Sequence, residues 1–162
     1  RSSARCRRSS SPLSAARPDR PAERTITVIK VGARNQQYLE GFNNTGSTIA
    51  KFLAVRGSYS AIALPSGVTS PVFGVTTDAI ADQARGDIQY AGVAIVTAAE
   101  AWDAAALLAG IRLYADTAGK AAIFDAASGV NQAVFGIPLT VSTGADDLVE
   151  VLLGVGGIGQ GA

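Results

Sequence analysis

The chain alternates short apolar runs with turn-forming residues, at the spacing of an all-β sandwich or small barrel. Eight runs predict strands: Ala50–Val55, Tyr59–Ala63, Val72–Val75, Asp87–Val96, Ile111–Ala115, Ala121–Phe124, Ala133–Val141 and Asp147–Leu153. One segment breaks the period. Ala98–Ala109 is dominated by strong helix formers and ends at Gly110, a suitable C-terminal cap, so it predicts a single helix. Upstream, Thr25–Val31 is β-branched and alternating, the pattern of a strand or an adhesive extension. Residues 33–48 are polar with isolated aromatics and read as an irregular arm.

An internal repeat organises the folded part. Sliding the chain over itself by 62 positions sets Gly57 on Gly119, Ser66-Gly67-Val68 on Ser128-Gly129-Val130, and Val72-Phe73-Gly74-Val75 on Val134-Phe135-Gly136-Ile137. Beyond a polar turn, Gly86-Asp87-Ile88 answers Asp146-Asp147-Leu148 after a small shift. Each copy is too small to bury its apolar face alone, so two similar β-units are expected to pack into one small barrel or sandwich. Phe73 and Phe135 are then equivalent core anchors, and Gly74 and Gly136 mark bulges or close backbone approaches. The expected organisation is a flexible Arg/Ser-rich extension over 1–32, the arm over 33–48, a mainly β barrel domain over 49–153 and a Gly-rich tail over 154–162.

Composition narrows the chemistry. The 162 residues contain no His, no Met and one cysteine, Cys6. A histidine triad, a histidine-ligated zinc, an intrachain disulfide and a multi-cysteine metal site are all excluded. The expectation is a chain that is not an enzyme and needs no cofactor or metal. The formal charge of +1 divides unevenly: residues 1–24 carry seven Arg against Asp19 and Glu23, a net of +5, and the remainder nets −4. Such an arm can attract phosphates or an acidic surface. Charge runs of this kind are most often solvated tails, so nucleic acid is not counted among the expected partners. No stretch has the roughly 18–20 apolar residues of a membrane span. The arm is rich in Ser and Arg like a transit peptide, and the lack of Met even at position 1 fits a fragment, a processed product or a translated upstream sequence.

Several motifs have plain structural explanations. Gly154-Val-Gly-Gly-Ile-Gly159 matches a dinucleotide-binding pattern but leaves three residues where a helix and an acid are required, so it reads as tail. Asn43-Asn-Thr45 matches a glycosylation acceptor incidentally. Asp78, Asp82, Asp87, Asp103, Asp116, Asp125, Asp146 and Asp147 fall mostly in predicted turns, where Asp favours local backbone hydrogen bonds. Trp102 either plugs the core, the favoured reading, or anchors an external contact. Tyr38 and Phe42, aromatics in a polar arm, are better placed to grip a partner. The candidate partner interface is therefore Asn35, Gln36, Gln37, Tyr38 and Phe42, with Trp102 as a further anchor.

Val72-Phe-Gly-Val-Thr-Thr-Asp78, Gly86-Asp-Ile-Gln-Tyr-Ala-Gly-Val93, Ala101-Trp102, Gly110-Ile-Arg-Leu-Tyr-Ala-Asp116, Thr117-Ala-Gly-Lys120, Val134-Phe-Gly-Ile137 and Asp147-Leu-Val-Glu-Val151 follow one another in an order and spacing that resemble the capsid decoration (cement) proteins of tailed bacteriophages. The likeness spans about residues 33–153, with Ala33-Arg-Asn-Gln-Gln-Tyr38 similar to a family N-terminus. Departures are Ala115 where the family often has Trp, the acidic-polar linker Ala79–Arg85, and the basic arm. The resemblance implies a compact β-barrel, made in the bacterial cytoplasm, that binds the outside of an assembled head and reinforces contacts between major capsid subunits. It implies a homo-oligomer, a trimer among the options. Another virion or surface-layer β-module, such as a head fibre base or tail component, is the alternative.

Overall fold

The computed structural model describes residues 36–159, with side chains through Gly154. Asn35, the basic arm and Thr25–Val31 lie outside the described residues. The mainly β expectation holds. Among the described residues nine strands form one curled antiparallel sheet: β1 Gln37–Phe42, β2 Ala54–Ser58, β3 Ala61–Ala63, β4 Gly74–Thr76, β5 Arg85–Thr97, β6 Leu113–Ala115, β7 Ala121–Ile123, β8 Gln132–Pro138 and β9 Leu148–Gly159. Their order is β3-β2-β4-β5-β9-β8-β6-β7, with β1 added to β5. A helix, α1 Ala104–Leu108, and a single 3-10 turn, Ala126–Ser128, complete the described chain.

The repeat appears as two copies of one wiring. In the first, β2 pairs β3 and β4, β4 pairs β5, and the first half of β5 pairs β1. In the second, β6 pairs β7 and β8, β8 pairs β9, and β9 pairs the second half of β5. The 13-residue β5 thus ends one repeat and begins the next. Each repeat curls into a half-barrel through a parallel bridge, Asn43 to Ile62 in the first and Ala98 to Ala121 in the second. The core falls into two clusters: Ile49, Val55, Ile62, Ile80 and Ile88 within the first repeat, and a larger set including Trp102, Leu113, Ala121, Phe135 and Val151 of the second, to which Ala54 and Val75 of the first repeat also contribute. Burying each large aliphatic side chain contributes about 1.5–3 kcal/mol, which is what curls the strands.

The register of the repeat differs from the ungapped alignment. Val55 opposite Gly74 corresponds to Leu113 opposite Gly136, and Val75 opposite Gln89 corresponds to Ile137 opposite Leu152. Gly57 and Gly119 are not equivalent, because Gly57 lies in β2 opposite Ile62 while Gly119 lies in the turn between β6 and β7. Arg85 and Leu148, which open β5 and β9, are the true counterparts there, each facing the last residue of its partner strand, Phe42 and Thr97. Gly74 and Gly136 match as expected. A Cβ at Gly74 would lie 2.5 Å from Gln89 O, and one at Gly136 2.4 Å from Val151 Cγ1, so both are close-approach points.

Four local expectations are corrected. Residues 37–42 form β1 rather than irregular arm, since the register with β5 places Gly41 under Ile62 and Ile88, where an added Cβ would lie 2.9 Å from each side chain. The helix is five residues, not twelve. The N–H groups of Ala98, Ala99 and Trp102 donate to Asp147, Ala121 and Ser142 across the sheet, and Asp103 caps Ala106 N at 2.8 Å, so helix can begin only after it. The Gly-rich segment 154–159 is no tail: it continues β9 along β8, with Ile158 opposite Ala133. The predicted first barrel strand also shortens, because Phe52 takes a left-handed turn at φ 62.

Candidate partner interface

Four of the six candidate residues converge at β1. Among the described residues β1 is laddered by β5 along its length, and on its other side the chain just after it is bridged to β3 through Asn43 and Ile62, so the edge without a ladder partner is its first part, around Gln37–Glu40. Gln36 precedes it and donates from Nε2 to Val93 O at 2.8 Å, and Tyr38 Oη donates to Gln36 Oε1 at 2.8 Å. Gln37 pairs with Ala91, and Gln37, Tyr38 and Phe42 are all half-buried. The Arg85 guanidinium lies 5.7 Å from the Phe42 ring centroid and also pairs with Glu40 at 3.3 Å. Glu40 and Arg85 are site residues that the sequence pattern did not single out; no signal in the chain places them beside one another, because only the β1–β5 register does so.

Trp102 is separate and buried. It is 4 % exposed, with Nε1 donating to Thr140 O at 2.8 Å, so within the chain it is a core plug. Its outer edge, with Ile123, Val141 and Ala106, lines an open groove of about 660 Å³ rimmed by Asp103 and Thr143. Phe73 and Phe135 meet at a small cleft where the repeats join, Phe135 buried and Phe73 half-buried.

The acidic residues do structural work. Asp82 accepts from Gly46 N, Asp116 from Ala118 N and Lys120 N, Asp125 from Ala127 N, and Asp147 from both N and Oγ1 of Thr143. The Thr143 hydroxyl, then its N–H, holds the Asp147 carboxyl below its ordinary 3.8. A hydrogen bond from Lys120 to Asp146 at 2.6 Å raises the lysine. Among the described residues no three His, Cys, Asp or Glu side chains gather as metal ligands, and no helix is long and apolar enough to cross a membrane. Asn43 of the acceptor pattern is buried, its Nδ2 donating to Ser47 O and Ile80 O.

No protein-family model matches the sequence, and no curated protein matches it. Among solved structures the fold has a neighbour: the N base of the head fibre gp8.5 of bacteriophage phi29, with a TM-score of 0.53 over 72 % of this chain and 94 % of that one. The chain is similar in fold to a phage head-fibre base. At 14 % identity the likeness concerns architecture alone.

Proposed function

We propose that this chain is a structural protein of a phage head that binds the outside of the assembled shell and bridges neighbouring major capsid subunits, without catalysis. The observation that carries the reading is the fold neighbour, a head-fibre base matched over 94 % of its length. The ordered motifs from Val72 to Val151 that resemble decoration proteins support it independently, as does a candidate site made of a strand edge with the aromatics Tyr38 and Phe42. A strand edge offers a partner main-chain hydrogen bonds, with Tyr38 and Phe42 supplying apolar contact. Many equivalent sites on a shell allow a modest single contact to suffice, more so for an oligomer.

The head-fibre base is the second reading, favoured by the neighbour itself. Co-sedimentation with expanded heads lacking this protein, followed by heat challenge of the shell, separates the two. A cement protein saturates the heads and raises their melting temperature. A fibre base binds heads without stabilising them, and absence of binding to heads overturns both.

A further inference from the structure

The two repeats differ at one corner. In the first, residues 50–53 lead directly from the Ile49 bridge to β2, whereas in the second, residues 103–112 with α1 stand between the Trp102 bridge and β6. The first half-barrel closes without such an insertion, so the wiring does not require it. What the insertion builds is one wall of the open groove of about 660 Å³ at Trp102, where Ala104 and Ala106 join Ile123, Val141 and the edge of the indole. Val141 is 47 % exposed, and Leu108, four residues beyond Ala104 and so on the same face of α1, is 90 % exposed. Contiguous apolar surface with a polar rim marks an interaction site.

The polar groups around the groove are already bonded within the chain. Asp103 caps Ala106 N at 2.8 Å, the Ser142 hydroxyl donates to Glu100 O at 2.8 Å, and the Thr143 hydroxyl donates to Asp147 at 2.7 Å. A partner therefore meets an apolar floor and negative charge: Asp103 on the rim, Asp147 on Thr143, and Glu100, whose carboxylate accepts from Ile123 N at 2.7 Å. Of the basic residues between 92 and 159, Arg112 and Lys120, neither lines the groove, and Lys120 is held by Asp146.

We propose, resting on the head-binding reading, that this groove is a second docking site, taking a large apolar side chain flanked by Lys or Arg from a segment of the major capsid protein. A bridge between two subunits needs two contact surfaces; the β1 edge lies in the first repeat and the groove in the second. The apolar side chain supplies affinity, and its basic neighbours, drawn by the three carboxylates, supply orientation and encounter rate.

The test uses the full-length chain with Cys6→Ser and Val141→Cys, on expanded heads lacking this protein. The new thiol should react with a maleimide at least tenfold more slowly on heads than free in solution, and capping it beforehand should weaken head binding at least tenfold. Asp103→Asn, which keeps the helix cap, should weaken binding several-fold at low salt and little in about 1 M salt. Head binding with unchanged thiol reactivity overturns the groove and leaves the head-binding reading standing, while no binding by the Cys6→Ser parent overturns both. Protection that grows with protein concentration without heads also overturns it, since a second copy is then the occupant. Undiminished binding by Asp103→Asn at low salt overturns the basic flank.

Discussion

Trp102 and Ser142 exchange two backbone hydrogen bonds of 3.0 Å each, the same reciprocal bridge that Ile49 and Ile80 make in the first repeat at 3.0 and 2.8 Å. One repeat fills this corner with two medium side chains and the other with a large and a small one. Trp102→Ala should therefore cost about 3–5 kcal/mol in denaturant unfolding. Trp102→Ile should cost less, and adding Ser142→Ile should recover part of it despite losing the Ser142 hydroxyl bond to Glu100 O. Strictly additive costs in the double variant would sink the volume-exchange account.

Gly74→Ala and Gly136→Ala should each destabilise by about 1–3 kcal/mol, since each added methyl would meet the neighbouring strand nearer than 3 Å. Gly67→Ala, where a Cβ meets nothing within 4 Å, is the matched control and should change stability little. Equal effects at Gly67 and Gly74 would show that backbone freedom rather than close approach decides.

Gln83 and Asp146 occupy matching corners of the two repeats, and both adopt left-handed backbone, at φ 59 and 71. Gln83 is exposed and its side chain is not needed to hold the corner. Gln83→Gly should therefore raise stability by about 0.5 kcal/mol, the relief of left-handed strain less the entropy of glycine. A drop in melting temperature would contradict this.

Burial first, then the charges of Glu100, Asp116 and Asp125, hold the Tyr114 phenol above its ordinary 10.0. A raised folded value means the folded chain keeps this proton longer than the unfolded one. Its stabilising effect is present in full below 10.0 and is lost as pH rises through the folded value. Stability measured across that alkaline window should fall more steeply for the native chain than for Tyr114→Phe, and phenolate absorbance should lose its latest-titrating component in the variant.

The strands were legible wherever apolar runs met turn residues, and all eight predicted runs overlap an observed strand. Ala54 and Val55, for example, carry the β2 register although Ala50–Phe52 do not. β1 was hidden because its pairing rests on tertiary fit: Gly41 earns its place by having no side chain, a property that reads as turn in isolation. The Ala-rich stretch read as a long helix because propensity is local, whereas the N–H groups of Ala98 and Trp102 are spent on the carbonyls of Asp147 and Ser142, far along the chain. The repeat was visible where both copies keep Phe-Gly. Its register was not, since insertions in the β6–β7 turn and around Ala126–Ser128 displace the correspondence. Of the partner site, the aromatics at 38 and 42 were legible from their polar setting. Glu40 and Arg85 were not, because their adjacency exists only in the fold.

Two repeats built with separate walls would need ten strand lengths, and the described residues manage with nine by letting β5 serve both. The two halves therefore have no seam along which they could be inherited, exchanged or cut apart as finished pieces. A chain divided at Gly92 would leave the second half-barrel without its opening wall. Duplication on this plan adds four strands at a time, and every copy after the first begins on its predecessor's last.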